Sequence, residues 1–224
     1  NSYPDPESAR YAIDCRGLSL EELKSHKAIY DHLCQTVMIQ RQGLSDPKLK
    51  ERWWLFSRPA NILYDAIRRF KCKRLIVGGR HSAHSTYTIV NSLSVISDAA
   101  TAFPCEDKIT FALFALPQSN LHSYWSMIMG SSIGESPRYI PEKCFDTFPL
   151  PESWESNCQE TPSLSLLNDP GEKVWRARDE ACKCLNIGLT AFYNQLNSPD
   201  EASDHIQLAR RLSSEVDRNA LDAK

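Results

Sequence analysis

Long apolar runs are missing from this sequence, and none approaches the roughly 18 residues that a membrane-spanning helix requires. The opening stretch NSYPDPESARYAIDC has neither the basic nor the apolar region of a secretory signal. With 42% apolar and 24% charged residues among 224, the chain can instead bury a core, as one large domain or as one domain with a small appendage. The first residue is not methionine and the last residues, RNALDAK, continue a helical pattern, so we expect a part of a longer polypeptide.

Paired metal-binding cysteines are also missing, because none of the eight cysteines forms a CxxC pair. A chain of this length and composition does not need a disulfide framework, so we expect mostly reduced thiols in a cytoplasmic protein. The nearest approach to ligand spacing is Cys182-Lys-Cys184, and it is far from His81 and His84 in the sequence. A structural zinc site usually has two close ligand pairs, so no metal site is predicted and the HxxH histidines are interpreted as exposed loop residues.

Recognised catalytic and phosphate-binding motifs are also missing: the sequence contains no GxGxxG, GxxxxGK[ST] or HExxH pattern. Glu142 and Asp146 are neighbouring carboxylates, but no base or nucleophile accompanies them in the sequence. We therefore predict a binding module with no catalytic residues and no cofactor of its own. A hydrolase with an unrecognised site is the weakest alternative.

Charge is nearly balanced overall, at −2, but it is unevenly distributed along the chain. Basic residues dominate between positions 48 and 80, where only Glu51 and Asp65 oppose them. One interpretation is a solvated helix face, and the other is a surface that holds phosphates. The basic residues are Lys48, Lys50, Arg52, Arg58, Arg68, Arg69, Lys71, Lys73, Arg74 and Arg80.

The pattern of apolar residues predicts an α+β fold: a mixed, mostly antiparallel sheet with packed helices, followed by a small helical C-terminal domain. Ser19 and Ser57 are the expected N-caps of the first two long helices, and Pro59 lies early in the second. A polar linker is expected at 152–170. The predicted helices are 19–34, 59–70, 120–129, 170–186 and 199–222, and the predicted strands are 74–79, 85–90, 92–97 and 109–116.

Two polar loops combine small residues with a single arginine, at 79–85 and 130–138. Arginine can bind guanine O6 and N7 through two hydrogen bonds, and serine and histidine can bond bases or phosphates. Glu135 could accept a hydrogen bond from cytosine N4. The alternative is that both are solvated loops without a ligand.

RWWLFSRPA and an apolar helix, followed by RLIVGGRHS, ITFALFALPQSNLHSYW and SPRYIPEKCFDTFPLP, resemble the target-recognition domain of MmeI-like Type IIL restriction–modification enzymes. Related domains occur in other large adenine-specific DNA methyltransferases, including those of phage-defence systems. LTAFYN and LARRLSSEVDRNALDA resemble the short helical domain that follows. The resemblance therefore implies a target-recognition domain at 1–151, and a linker with a helical C-terminal domain at 152–224.

The resemblance also implies a parent chain with an upstream N6-adenine methyltransferase domain that uses S-adenosylmethionine and flips its target adenine out of the duplex. Mg²⁺ would be needed if the parent also cleaves DNA. The implied partners of this chain are double-stranded DNA and that upstream domain, with no membrane. A protein-interaction scaffold of a phage-defence complex, without base readout, is the main alternative.

The family places its specificity residues in the loop before the RY of the closing motif and in the loop after the RLIV-type strand. It often has a charged residue where this chain has Gly134 or Ser136, so no recognition sequence is derived. The implied base-reading residues are Arg80, His81, Ser82, His84, Gly134, Glu135, Ser136 and Arg138. The implied phosphate-binding residues are Arg58, Arg68, Arg69, Lys71 and Lys73.

Overall fold

The computed structural model describes residues 11–82, 84–133, 136–149, 162–200 and 202–222. These residues form two compact units, one within Ser8–Tyr64 and one within Asp65–Lys224. In the described part of the chain, no helix is both long enough and apolar enough to cross a membrane.

Helices dominate both units. The α-helices are α1 Leu20–Ser25, α2 Lys27–Leu33, α3 Ile39–Gln42, α4 Pro47–Glu51, α5 Asn61–Phe70, α6 Thr110–Gln118, α7 Asn120–Met129, α8 Pro141–Cys144, α9 Pro162–Leu185, α10 Leu189–Asn197 and α11 Asp204–Asp222. A π-helix at Cys34–Met38 joins α2 to α3, and a 3₁₀-helix at Asp107–Ile109 precedes α6. The strands are β1 Arg74–Gly79, β2 Tyr87–Asn91, β3 Ala100–Pro104, β4 Ser131–Ile133 and β5 Ser136–Arg138.

The smaller unit is organised by a helix cap and by buried aromatic residues. Ser19 is the N-cap of α1, as predicted, and with Glu22 it forms a complete capping box. The helix predicted over 19–34 is divided at His26, which ends α1 and precedes α2. Trp53 is buried in the core of this unit, and Trp54 donates a hydrogen bond from Nε1 to the Leu18 carbonyl at 2.9 Å.

Helix α5 begins at Asn61, two residues after the predicted proline start, so the prediction of Ser57 as its N-cap is wrong. Ile67 and Phe70, near its C-terminus, pack against a cluster that contains Leu75 of β1. Ile62, in its first turn, is 89% exposed. Ile62 therefore lies outside the core that Ile67 and Phe70 join.

Strand β1 is the centre of a three-stranded antiparallel sheet of order β2-β1-β3. Leu75 and Ile76 are both fully buried, yet they belong to different apolar clusters on opposite faces of the strand. A central strand covered on both faces needs a continuous apolar run, which explains the RLIV pattern that predicted it. The antiparallel sheet with packed helices confirms the α+β prediction, and the described strand pairings include no parallel one.

The strand predicted at 92–97 is not formed. Asn91 ends β2 and its side chain accepts a hydrogen bond from the Leu93 N–H at 2.8 Å, which turns the chain away from the sheet. Leu93 is consequently 88% exposed. The third strand is instead β3, Ala100–Pro104, which was not predicted from the sequence.

The strand predicted at 109–116 is wrong in type, because Thr110–Gln118 forms helix α6. This helix contacts β1 and β2 and also packs along α9, so it is apolar on every side and has no amphipathic period. A short, fully buried helix and a buried strand have the same sequence pattern. The Asn168 side chain of α9 accepts a hydrogen bond from the Ala112 N–H, in the first turn of α6, at 3.2 Å.

Helix α9 begins at Pro162, so the second part of the predicted linker is helical. Pro170 lies within it and cannot donate to the carbonyl of Leu166. The Asn219 side chain of α11 donates to that carbonyl instead, at 2.8 Å. Helix α11 begins at Asp204 rather than at 199, since Ser198 ends a helix that was not predicted, α10.

Residues from both sides of the boundary predicted at 151/152 contribute to one core. Phe103 of β3 and Phe114 of α6 lie in the same apolar cluster as Val174 of α9 and Val216 of α11.

Candidate nucleic-acid interface

The two arginine-containing loops meet at the C-terminal end of β1. The Tyr139 N–H donates to the Arg80 carbonyl at 3.0 Å, and His81 pairs with Arg138 as an isolated antiparallel bridge. On the other side, the Arg80 N–H donates to the Ala99 carbonyl at 2.9 Å. Backbone hydrogen bonds therefore hold together two segments that are distant in the sequence.

Where the loops meet, a cleft of about 600 Å³ opens. Helices α7, α10 and α11 form its other walls. Of the predicted base-reading residues, those described at the cleft are Arg80, Ser82, His84 and Arg138. His81 is exposed beside them and does not line the cleft.

Arg80 and Arg138 provide the positive charge of this cleft. The Arg138 side chain is exposed, and no described residue bonds to its guanidinium. Arg80 is half-buried, and its Nε is buried without a hydrogen-bond partner among the described residues. A guanidinium that keeps free donors can bind the acceptor pair of a base edge or a phosphate.

His84 is held on both sides of its ring by helix α10. Its Nε2 lies 2.7 Å from the Asn194 Oδ1, and the Asn197 Nδ2 lies 3.4 Å from its Nδ1. With these partners, Nε2 donates a hydrogen bond and Nδ1 accepts one. Its ring centroid lies 6.0 Å from that of Tyr193. His84 therefore anchors the loop after β1 to α10, and both of its nitrogens are occupied.

Gln118, the last residue of α6, secures the other end of the same loop. Its Oε1 accepts from the Tyr87 N–H at 3.1 Å, and its Nε2 donates to the Ser85 carbonyl at 3.1 Å. The Tyr193 hydroxyl also donates to that Oε1, at 3.0 Å. Anchoring at both ends limits the conformations of the loop and fixes the direction in which it presents Arg80.

Arg178 of α9 lies beneath this network and is 1% exposed. Its Nη1 donates to the Tyr87 carbonyl at 2.5 Å and to the Tyr193 hydroxyl at 3.2 Å. Its Nε and Nη2 are buried without a partner among the described residues. Arg178 was not predicted from the sequence, because only the fold brings α9 under the cleft.

Two further charged residues in the lining have structural partners. Arg210 of α11 donates to several backbone carbonyls near the end of α10, including those of Gln195 at 2.6 Å and Ser198 at 2.7 Å. Asp217 accepts from the Asn120 N–H and from the Asn120 side chain, both at 2.7 Å. Asp217 is the only carboxylate among the described residues of the lining, against the guanidinium groups of Arg80, Arg138 and Arg210, so the charged groups of the lining are mainly positive.

Tyr139 connects the Arg138 strand to the core. Its hydroxyl lies 3.4 Å from the Nε2 of His122, a fully buried residue of α7. Burial lowers the pKa of His122 to about 4, although a backbone hydrogen bond at Cys144 acts in the opposite direction. His122 is therefore neutral at pH 7 and supports Tyr139 without adding charge.

The predicted phosphate-binding residues do not line the cleft. Arg68 is paired with Asp65, and Arg69 lies 5.5 Å from the centroid of the Phe70 ring. Lys71 and Lys73 are exposed just before β1, at the opposite end of that strand from Arg80. At about 3.3 Å per residue, the strand separates Lys73 from Arg80 by roughly 20 Å. Arg58 is an exposed residue of the smaller unit.

Three predicted base-reading residues are not placed by these contacts. Gly134 and Glu135 lie outside the described residues, and Ser136 is described only as the first backbone position of β5. Tyr193, Asn194 and Asn197 were in turn not predicted, since they belong to a segment that was assigned to a separate appendage. The pattern LTAFYN contains no local signal for a role at the cleft.

Comparison with known proteins identifies the class of this domain. Residues 6–152 match the family model for the MmeI target recognition domain, and this chain belongs to that family. The resemblance inferred from the sequence is therefore confirmed. A search of curated proteins found no significant match.

Among solved structures, the chain is similar to the Type IIL restriction-modification enzyme MmeI in complex with DNA. The TM-score is 0.66 at 14% sequence identity, and the match covers 95% of this chain. At this identity, the similarity establishes the fold alone. The match covers 25% of that enzyme's chain, so this chain spans about a quarter of its length.

Proposed function

We propose that this chain is the sequence-specific DNA recognition module of a larger restriction–modification enzyme. The observation that supports this most strongly is the convergence of two arginine-bearing loops on one cleft, joined by the Tyr139–Arg80 hydrogen bond of 3.0 Å. The only described carboxylate of that cleft already accepts two hydrogen bonds from Asn120. A cleft with free guanidinium groups and no free carboxylate suits the acceptor-rich edges and phosphates of DNA.

Arg138 is the proposed base-reading residue. It is exposed at the end of β5, and its backbone is fixed by pairing with His81. A guanidinium held in this way can donate two hydrogen bonds to guanine O6 and N7 in the major groove. Arg80 and Ser82 are proposed to contact the same site from the facing loop. His84 is proposed to position that loop through α10, rather than to contact a base.

Phosphate binding is proposed for the basic residues around the end of α5. Lys71 and Lys73 are exposed there, and Arg69 and Arg68 lie in the last turn of the helix. These residues would set the register of the duplex and supply affinity that does not depend on sequence. Arg58 remains a proposed contact of the smaller unit.

The parent enzyme is proposed to methylate adenine with S-adenosylmethionine. The described cleft does not fit that cofactor, because it has no glycine-rich loop and Asp217 is not free to hold ribose hydroxyls. The cofactor would therefore be held by an upstream methyltransferase domain, and the contribution of this chain would be the choice of site. Cleavage by the parent would additionally require Mg²⁺.

The decisive experiment uses the intact parent enzyme in a host that lacks DNA methylation. Modified adenines are mapped genome-wide for the wild type, for Arg138→Ala and for Arg211→Ala, an exposed arginine of α11 outside the cleft. We expect one methylated motif in the wild type and in Arg211→Ala, and loss of choice at one base pair in Arg138→Ala. The loss of discrimination should be about 1–3 kcal/mol.

The role of Arg138 is tested by comparing how strongly Arg138→Ala reduces methylation at different DNA sequences. If Arg138→Ala weakens modification of all sites equally, Arg138 contacts phosphate or supports the fold, and the base-reading role is refuted. If no adenine is modified by the wild type, the methyltransferase proposal for the parent fails.

The salt dependence of duplex binding separates this proposal from a scaffold. Binding should weaken steeply with salt, and substituting Lys71 or Lys73 should reduce the slope by about one for each phosphate that is no longer neutralised. A flat response to salt, together with a tightly bound protein partner, would support a scaffold instead.

A further inference from the structure

A cluster of three potential metal ligands lies on the helical part of the chain, and none of the three lines the cleft. Glu180 and Cys184 are four residues apart on α9, so they occupy one face of that helix. His205, in the first turn of α11, faces them. One ligand atom from each of the three residues lies within 4.8 Å of the other two.

We propose that Glu180, Cys184 and His205 bind a divalent transition-metal ion, most favourably Zn²⁺. Ligand atoms around a tetrahedral Zn²⁺ are roughly 3.3–3.8 Å apart, so small rotations of these side chains would complete the geometry. A thiolate with an imidazole selects Zn²⁺ over Mg²⁺ or Ca²⁺, which prefer oxygen ligands. Three protein ligands would leave the fourth position to water.

The neighbouring residues leave these three side chains available. Among the described residues, none of the three has a hydrogen-bond or ion-pair partner. Lys183, between them in the sequence, pairs instead with Asp179 at 2.9 Å. Cys182 is buried in the apolar cluster with Phe192, so Cys184 is the thiol that the described residues supply on this face.

A metal ion bound at this position would link two helices. It would join the end of α9 to the start of α11 and so close the segment that contains α10. Asn194 and Asn197 of that helix hold His84 at the cleft. Closing this segment would reduce its conformational freedom and stabilise the folded state when metal is bound.

Metal binding by this 224-residue chain tests this directly. After removal of metal with a chelator and dialysis, the reduced protein is titrated with Zn²⁺ and, separately, with Co²⁺ as a spectroscopic probe. We expect one Zn²⁺ per chain, a thiolate-to-Co²⁺ charge-transfer band, and a rise in Tm on the order of 5 °C with excess Zn²⁺.

The variants Cys184→Ser and His205→Gln should each weaken Zn²⁺ binding by at least about tenfold, since even outer-shell substitutions cost 10–100-fold. Cys184→Ser should also abolish the charge-transfer band. The matched controls are Cys34→Ser and His26→Gln in the smaller unit, and both should bind as the wild type does.

Two results would overturn the proposal. Persistence of the thiolate band in Cys184→Ser would assign the metal to another thiol. Less than one equivalent of Zn²⁺ at micromolar metal, with no change in Tm, would mean that no site is formed. Either result leaves the proposed DNA recognition untouched, because no residue of the cluster lines the cleft.

Discussion

Acidification from pH 7 to pH 5 should destabilise this protein mainly through one residue, His122. It is 0% exposed, and its ring centroid lies 4.9 Å from that of Phe148. Its Nδ1 lies 3.2 Å from the Ser126 hydroxyl, and its Nε2 faces the Tyr139 hydroxyl. Because the pocket excludes water and offers no carboxylate to this ring among the described residues, protonation is unfavourable there and the pKa falls from 6.5 to about 4.

Proton uptake on unfolding sets the sign of this effect. Below pH 6.5 the unfolded chain takes up a proton at this histidine while the folded chain does not, so falling pH favours unfolding. The stabilisation that the neutral His122 ring contributes is complete above pH 6.5 and is lost progressively down to pH 4. At about 1.4 kcal/mol per pH unit, the full loss is about 3 kcal/mol, of which about 2 kcal/mol falls between pH 7 and pH 5.

The carboxylates with lowered pKa act at lower pH. The Arg16 side chain lowers the pKa of Asp14 from 3.8, and hydrogen bonds from Ser19 lower that of Glu22 from 4.5. Their contributions are present above these ordinary values and are lost only as the pH falls further. The interval from pH 7 to pH 5 therefore isolates His122 from both of them.

Urea unfolding at pH 7 and pH 5 provides the measurement. The wild type and His32→Gln, an exposed histidine of the smaller unit, should each lose about 2 kcal/mol of unfolding free energy between the two pH values. His122→Gln should lose much less, whatever its stability at pH 7. If His122→Gln shows the same pH dependence as the wild type, the assignment to this buried ring is wrong.

Two further substitutions test one contact within each unit: the packing of α9 on α6 and the cap of α1. Gly171→Ala would place a Cβ 2.3 Å from the Phe111 carbonyl oxygen, so α9 and α6 must separate. We expect the free energy of unfolding, measured by heat or urea, to fall by about 2 kcal/mol. This loss should occur although alanine has a better helix propensity than glycine. Gly43→Ala, whose Cβ would meet only a carbonyl oxygen at 3.5 Å, is the control and should be nearly neutral. Ser19→Ala removes the capping box of α1 and should lower the free energy of unfolding of the smaller unit by about 1 kcal/mol. An unchanged midpoint of urea unfolding would refute the role of the cap.

Several elements could be predicted because their signals are local. Helix α7, predicted at 120–129, is formed at Asn120–Met129, with Ser119 as its N-cap. The apolar run that ends in two glycines likewise placed β1. Gly78 also meets a steric demand that the sequence does not reveal, since a Cβ there would lie 2.5 Å from the Tyr87 ring.

Other elements could not be predicted, because their patterns are shared by different structures. The segment at 109–116 is apolar throughout, and only its burial between the sheet and α9 makes it a helix. The segment at 162–170 contains polar residues and a proline, yet it is helical. Asn219, which compensates the lost hydrogen bond at Pro170, is distant in the sequence.

The sequence by itself determined the family, the α+β class and the two loops that contain Arg80 and Arg138. Caps, turn residues and apolar runs act over a few neighbouring residues, so they can be recognised without a structure. Only the tertiary structure decided that the two loops meet and that α10 holds His84. Those contacts join residues far apart in the chain, and they form only when helices and sheet bury a common core.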